Sequence, residues 1–328
     1  MRYLMRRILV SIAIMVAIIN FDFIIPRLVP GNAAEILAAS SRLPQQAFVE
    51  IQARLGLDHS YYVQYVLYLK GIFLSWPPYF GVSYQYFPAQ VTTLFFSRLP
   101  WTLILIGSSF ALSIIIAYFM SAYASSRRAG KFEVGSLYSA IVFHATPVFW
   151  TSMILLWVFA VYLRWLPIFG NISNNPGTAL AYLGSVIVHA ILPVLAMTLS
   201  FFGEVYLVLR GTTQQVLKTD YVTAARTRGL SDFLIARRYI LRNSLLPLVS
   251  LLTFSLASLI SRVILVESVF GYAGIGDLIV DAVVNRDYPV LEGSIFYVTL
   301  LVVIGGLIGD FLLVRLDPKL REEDEVRQ

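Results

Sequence analysis

The sequence contains no cysteine and only three histidines, His59, His144 and His189. Without cysteine there is no disulfide framework, no thiolate metal site and no cysteine nucleophile. Three widely separated histidines also lack the clustered ligands of a zinc site. The composition therefore argues against disulfide-stapled secreted domains and against cysteine- or zinc-dependent enzymes.

Charge is scarce as well. Only 13% of the 328 residues are charged, whereas 58% are hydrophobic, and the mean hydropathy is +0.75. A soluble domain is about 25% charged and about 45–50% apolar, so an ordinary cytosolic enzyme and a nucleic-acid-binding tail protein are excluded. The net charge of +6 comes from basic residues between apolar runs, which orient a chain in lipid rather than on nucleic acid. We therefore predict an all-α, polytopic membrane protein.

Six apolar segments are long enough to cross a bilayer, which takes roughly 20 helical residues. They are Ile8–Ile25, Trp101–Ala124, Val134–Leu163, Ala179–Gly203, Ser244–Val266 and Gly293–Val314. Pro147 and Pro193 lie inside the third and fourth segments, where they predict kinks rather than breaks.

The basic residues predict the orientation. If the N-terminus is cytoplasmic, 17 of the 25 Lys and Arg residues lie inside, so both termini are expected in the cytoplasm. The chain then divides into a transmembrane helix (1–30), an extracytoplasmic insert (31–100), a transmembrane core (101–316) with a cytoplasmic loop (210–243), and a cytoplasmic tail (317–328). Alternatively, Met1–Ser40 is a cleaved signal peptide, although its long apolar run and Asp22 favour a span.

The insert is rich in aromatic side chains and modest in charge, and is expected to form amphipathic helices on the membrane surface. Two interpretations stay open. It is either a lid packed on the spans or a docking surface for an external partner.

The cytoplasmic loop 210–243 has seven basic and two acidic side chains in 34 residues. Thr219 and Asp220 can cap a short helix, Tyr221–Arg228, which Gly229 would end in the left-handed conformation. Ser231 or Asp232 can cap a second helix that runs towards the membrane. The alternative is a basic loop that only follows the positive-inside rule.

Such a helix–glycine–helix unit would be a compact knob fixed to two spans. We expect it to present Tyr221, Val222, Ala224 and Ala225 beside arginines, which suits a socket on another protein.

The spacing in this loop resembles that of the membrane permeases of ATP-binding-cassette importers, specifically the peptide/nickel-type family. The matching residues are Asp220-Tyr221-Val222, Ala225-Arg226, Arg228-Gly229-Leu230-Ser231, Arg242-Asn243 and Pro247, with Thr223-Ala224-Ala225 where the general signature has Glu-Ala-Ala. Further similar segments are Arg27–Asn32, Leu55–Asp58, Val63–Tyr65, Arg98–Leu103, Pro147–Trp150, Trp165–Pro167, Val266–Phe270, Gly274–Gly276, Asn285–Pro289 and Leu316–Pro318. Ala273, Leu207 and Gly306 depart from the family pattern.

The resemblance implies a type I permease fold of six transmembrane helices in the plasma membrane of a prokaryote. It also implies four kinds of partner: a second, homologous permease, two cytoplasmic ATPase subunits, an extracytoplasmic solute-binding protein, and membrane lipid. The loop would insert into a groove of the ATPase, with Asp220 and Gly229 shaping the knob, Tyr221 and Ala225 filling the socket, and Arg226 and Arg228 meeting acidic rims. The implied coupling residues are Asp220, Tyr221, Val222, Ala224, Ala225, Arg226, Arg228, Gly229 and Leu230.

An ATP site is missing from the sequence itself. The motif Gly-x-x-x-x-Gly-Lys-Ser/Thr does not occur, and the only Gly-Lys, Gly130-Lys131, is followed by Phe132. We therefore expect no catalysis and no cofactor in this chain, with ATP and Mg²⁺ bound by the partner ATPases.

Charges in and near the spans are candidates for the pathway or a gate. Glu204 and Asp310 are expected near the inner ends of their spans, where they either contact substrate or are paired with Arg210 or Arg315. Arg262 and Glu267, near the outer end of the fifth span, are either gate residues or a local ion pair. His144 and His189 are expected to be helix-packing side chains.

The substrate implied by the resemblance is a di- or oligopeptide, with oligosaccharides or nickel chelates as alternatives within the same machine. A different class is a proton-coupled carrier that uses Glu204 and Asp310. A remote alternative is an intramembrane aspartyl protease, because Gly274–Asp277 spells Gly-x-Gly-Asp and Asp22 or Asp310 could be its second carboxylate.

Overall fold

A computed structural model describes residues 2–28, 58–126, 130–172 and 177–316. The helices in these ranges are α1 (Arg2–Leu28), α2 (Tyr61–Leu74), α3 (Val91–Ser126), α4 (Lys131–Ala145), α5 (Val148–Leu155), α6 (Ala179–Leu217), α7 (Asp220–Thr227), α8 (Asp232–Ile235), α9 (Leu241–Phe270), α10 (Ile275–Val284) and α11 (Tyr288–Leu316). Leu156–Tyr162 and Ala236–Ile240 are π-helical extensions of α5 and α8. Within the described ranges the only strand-like pairing is one bridge between Val82 and Gln90, so the all-α prediction is confirmed.

The described helices include four uninterrupted stretches that are long and apolar enough to cross a membrane. They are Met5–Ile25, Val91–Ala124, Ala179–Leu217 and Tyr288–Leu316. Three bent pairs also qualify when each pair is taken as one span: Lys131–Ala145 with Val148–Tyr162, Asp232–Ser244 with Leu246–Leu256, and Ser258–Phe270 with Ile275–Val284. The number of spans thus lies between four and seven, and the count of six stays a prediction.

The prolines behave in two ways. Pro193 lies inside the continuous helix α6, as predicted, and Pro100 and Pro247 lie inside α3 and α9. At Pro147, however, the chain turns by 102° between α4 and α5, so the predicted kink is wrong and the span is broken. Thr146 before this proline is extended, with φ −80° and ψ 125°, because a proline disfavours helical backbone in the preceding residue.

The described chain forms two compact units. One contains residues 2–4, 101–126, 130–172, 177–272 and 305–316, and the other contains residues 5–28, 58–100 and 273–304. One of the unit boundaries coincides with the predicted end of the insert at residue 100. Residues 31–57 of the insert, Arg127 and Arg128, and the tail 317–328 lie outside the described residues.

In the first unit, α6 is the central helix. The helices α4, α5 and α9 all pack on it, and its buried residues include Leu192, Met197 and Phe201. Gly203 permits the close approach of α4, because a Cβ at this position would lie 2.6 Å from the Ala140 carbonyl oxygen. The helix α6 is 39 residues long and runs without interruption into the loop predicted to be cytoplasmic.

In the second unit, aromatic side chains join α1, α2 and α11. Phe23, Tyr68, Phe80, Phe296 and Tyr297 are buried in one cluster. The described part of the insert is therefore packed on helices, as the lid interpretation expects. Its residue Tyr86 donates a hydrogen bond to Asp281 at 2.5 Å, and burial together with this bond raises the pKa of Tyr86 to about 12.

Charged residues also join helices of the second unit. Arg27 of α1 bonds to Glu292 of α11 at 2.5 Å, although 265 residues separate them. Asp277 of the Gly-x-Gly-Asp sequence pairs with Arg98 at 3.5 Å, a cation rather than the second carboxylate that the protease alternative requires.

Candidate functional site

The segment from α7 to α8, residues 220–235, forms the predicted knob on the loop between α6 and α9. Gly229 follows α7 with φ +80°, the left-handed conformation that glycine adopts without steric cost. The Leu230 N–H donates to the Ala225 carbonyl at 3.2 Å and the Gly229 N–H donates to the Arg226 carbonyl at 2.9 Å. This pair of bonds is a Schellman motif, which fixes the angle between the helices. The predicted glycine turn is confirmed.

The two helices of the knob start differently. Ser231 caps α8, since its hydroxyl accepts the Leu234 N–H at 3.4 Å. Thr219 does not cap α7 as predicted, because its hydroxyl donates backwards to the Val216 carbonyl at 2.6 Å. Asp220 instead stands in the first turn of α7, where its carboxylate meets the positive end of the helix dipole.

The inner face of the knob is apolar. Val222 is fully buried and packs with Val216, Ile235 and Ile240, and Ala225, one turn further along α7, is only 4% exposed. The expectation that Val222 and Ala225 face a partner is therefore wrong. They anchor α7 to the end of α6 and to α8, because one face of an amphipathic helix must be buried.

The outer face of the knob is exposed. Tyr221 is 44% exposed and its ring lies 5.6 Å from the ring of Tyr239. The other exposed residues of this face are Asp220, Thr223, Ala224, Thr227 and Arg228. They form one continuous surface, since residues three and four apart share a helix face.

One basic residue of the knob has a partner within it. Arg226 pairs with Asp232 at 3.5 Å, which ties α7 to α8 across Gly229. Arg228 is exposed, as are Arg237, Arg238 and Arg242 in the following segment. The knob thus presents an apolar and hydroxyl-bearing surface bordered by positive charge.

The charged side chains in and near the predicted spans form ion pairs that differ from the predicted ones. Glu204 of α6 is bound by Arg262 of α9, not by Arg210, and Arg210 bonds to Glu133 of α4 at 2.7 Å. Because α6 continues to Leu217, Glu204 lies within this long helix rather than near its end. Its side chain meets Arg262 of the neighbouring helix α9.

The other predicted pathway residues are buried. Glu267 is fully buried and accepts a hydrogen bond from Thr102 at 2.7 Å. Asp310 is also buried. His189 bonds to the Ser185 carbonyl at 2.8 Å, as a packing histidine does, whereas the His144 side chain is half exposed with its Nδ1 4.0 Å from a Glu204 oxygen.

Sequence reasoning missed three residues of these networks, Glu133, Arg27 and Glu292. A signal was present, since an ionisable residue at or beside an apolar segment usually has a charged partner. The sequence does not say which partner, because the pairs join residues far apart in the chain.

Comparison with known proteins gives the class. Residues 109–322 match the family described as the binding-protein-dependent transport system inner membrane component, and residues 1–106 match the N-terminal membrane component of the same systems. The chain belongs to this family of ATP-binding-cassette permeases and is a multi-pass membrane protein. The type I permease fold predicted from the sequence is therefore confirmed as the fold of its family.

Several named relatives match over almost their whole length. A probable peptide ABC transporter permease protein, y4tP, of Sinorhizobium fredii is 30% identical over 97% of this chain and 99% of its own. The oligopeptide transport system permease protein AppB of Bacillus subtilis is 30% identical over 97% of this chain and 98% of its own. The oligopeptide transport system permease protein OppB of Haemophilus influenzae is 28% identical over 98% of this chain and 99% of its own.

Proposed function

We propose that this chain is the permease subunit of an ATP-driven importer that carries di- or oligopeptides across a prokaryotic plasma membrane. The observation that carries the proposal is the knob, whose apolar inner face is anchored on α6 while its outer face is exposed. Relatives named as peptide permeases support the substrate class. Oligosaccharides and nickel chelates are the alternatives for the same machine.

Energy for transport comes from partners. The sequence holds no phosphate-binding Gly-Lys-Ser/Thr loop, so ATP and Mg²⁺ are assigned to two cytoplasmic ATPase subunits. A second, related permease completes the membrane pathway, and an extracytoplasmic binding protein delivers the solute. The distribution of basic residues supports a cytoplasmic location for both termini of this chain.

Motion passes through the knob by a mechanical route. The Schellman turn and the cluster around Val222 make α7 and α8 move as one body. This body continues directly into α6, which is about 58 Å long at 1.5 Å per residue. When the ATPases close on the outer face of the knob, α6 tilts and the pathway opens outward.

Substitution of Gly229 tests this route. Proline cannot adopt φ +80° and removes the N–H that bonds to Arg226, so Gly229→Pro breaks the turn while leaving the spans unchanged. We expect at least a tenfold loss of uptake relative to ATP hydrolysis in a reconstituted transporter. Gly229→Asn is the matched control, because asparagine tolerates this conformation and no atom lies within 4 Å of the new Cβ.

Two outcomes would count against the proposal. Unchanged uptake in Gly229→Pro would show that the turn does not couple hydrolysis to transport. Peptide uptake by this chain alone, driven by a proton gradient without any ATPase, would favour the carrier alternative.

A further inference from the structure

Three ionisable side chains meet where α4, α6 and α9 approach one another. Arg262 contacts both oxygens of the Glu204 carboxylate, with Nη1 3.4 Å from Oε2 and Nη2 hydrogen-bonded to Oε1. The Nδ1 atom of His144 lies 4.0 Å from the same Oε1. The Arg262 and Glu204 side chains are 20% and 16% exposed, and His144 is 50% exposed.

This cluster lies beside the break in the third predicted span. His144 is the penultimate residue of α4, just before the 102° turn at Thr146 and Pro147. Interrupted helices occur at membrane depth only where the backbone is covered by protein or lines a water-filled cavity. Partly exposed ionisable side chains at such a break fit the second case, since charge facing lipid is unfavourable.

The guanidinium is held in a fixed position. Its central carbon lies 5.3 Å above the ring of Phe201, one turn before Glu204 on α6. An arginine fork that binds one carboxylate through two nitrogens has the geometry to bind any other carboxylate in the same way. Glu204 thus occupies a site that suits the carboxyl terminus of a peptide.

We propose that Arg262 binds the C-terminal carboxylate of the peptide during translocation, and that the peptide displaces Glu204 towards His144. This inference rests on the proposed function and names the part of the substrate that the chain recognises. His144 lies close enough to give the displaced Glu204 a polar partner, so the exchange does not leave a carboxylate unpaired in the membrane.

The pair formed by Arg210 and Glu133 is the natural comparison within the same unit. It also joins a neighbouring helix to α6, and Gln214 adds a second donor at 3.4 Å to the same Glu133 oxygen. None of the contacts described for this pair involves a histidine, and both of its donors lie on α6. We assign it a structural role, which makes it the control for the test.

The transport test uses the complete reconstituted transporter with tri-alanine and tri-alanine amide, after the affinity of the binding protein for each has been measured. Arg262→Gln should reduce uptake of tri-alanine at least tenfold and change uptake of the amide less than twofold. Arg210→Gln should affect both peptides equally. Equal losses of both peptides in Arg262→Gln would overturn the proposal, because a merely structural pair does not distinguish them.

A second measurement needs no peptide transport, so it separates this proposal from the proposed function. The chain has no cysteine, and Ser258 is exposed one helical turn before Arg262. In Ser258→Cys, the rate of labelling by an anionic methanethiosulfonate is divided by the rate for a cationic one. This ratio reports the local charge, and the unsubstituted transporter is the blank. Adding Glu204→Gln should raise this ratio about tenfold, and adding Arg262→Gln should lower it about tenfold.

The labelling result can also overturn the proposal. A cysteine at position 258 that reacts with neither reagent, with or without nucleotide, would place the cluster away from water. A ratio that is unchanged by both substitutions would mean that Arg262 presents no anion site. If wild-type transporter carries neither peptide, the peptide function fails and the labelling ratio alone decides whether Arg262 binds anions.

Discussion

The knob and the Glu204–Arg262 pair are both attached to α6, but they are held by different forces. The knob rests on a local backbone motif and an apolar cluster formed mainly by residues 216–240. The pair joins side chains 58 residues apart through charge and hydrogen bonds. Substitutions of buried apolar residues should therefore damage the knob, whereas the pair should respond to charge and to helix spacing.

The largest expected effect on stability comes from comparing glutamate substitutions at two neighbouring alanines of the knob. Ala225 is buried and Ala224 is exposed, so glutamate at 225 places a carboxylate in an apolar interior. We expect Ala225→Glu to destabilise the knob by about 3 kcal/mol, seen as protease cleavage within residues 219–235. Ala224→Glu should leave the knob resistant to protease and still reduce coupled uptake, because it alters only the outer face.

This pair of variants separates folding from contact with the ATPase. Equal protease resistance of Ala224→Glu and Ala225→Glu would contradict the assignment of inner and outer faces.

The next effect concerns the spacing between α4 and α6 beside Glu204. A Cβ at Gly203 would meet the Ala140 carbonyl at 2.6 Å and the His144 Cβ at 2.7 Å. We expect Gly203→Ala to push these helices apart at a cost of about 1–3 kcal/mol and to lower the melting temperature of the purified transporter. Gly211→Ala on the same helix is the control, since no atom lies within 4 Å of its added Cβ. A drop of equal size in both variants would argue against close packing at Gly203.

The smallest expected effect on stability comes from the surface ion pair of the knob. Arg226 and Asp232 are 3.5 Å apart and both are partly exposed to solvent. A double-mutant cycle with Arg226→Ala and Asp232→Ala should give a coupling energy below about 1 kcal/mol, further reduced by salt. A larger, salt-insensitive value would mean that this pair, rather than the apolar cluster, holds α7 against α8.

The sequence was sufficient for features that depend on neighbouring residues. The left-handed turn at Gly229 was predicted correctly, and the cap on α8 is Ser231, one of the two residues predicted for it. Both features need only a few consecutive residues. The helical membrane character also follows from long apolar runs. By contrast, the burial of Val222 and Ala225 depends on Ile235 and Ile240 folding back beneath α7.

Ion pairs between residues far apart in the chain could not be predicted from the sequence. Nothing near Glu204 indicates that its partner is Arg262 rather than Arg210, because the pairing depends on how far α6 continues and on which helix packs beside it. The break at Pro147 was missed for a related reason. Pro193 sits in an intact helix, so whether a proline bends or breaks a span is decided by the surrounding helices.

The central claim is that the outer face of the knob contacts a nucleotide-hydrolysing partner. A single cysteine at Ala224 in this cysteine-free chain can be cross-linked with a short bifunctional reagent in the assembled transporter, with Tyr62→Cys of the exposed surface of α2 as the control. We predict that Ala224→Cys cross-links to the ATPase subunit, with a yield that changes on ATP binding, and that Tyr62→Cys does not. Ala224→Cys that reacts with no ATPase subunit in any nucleotide state, or that is labelled from outside the cell, would contradict the account.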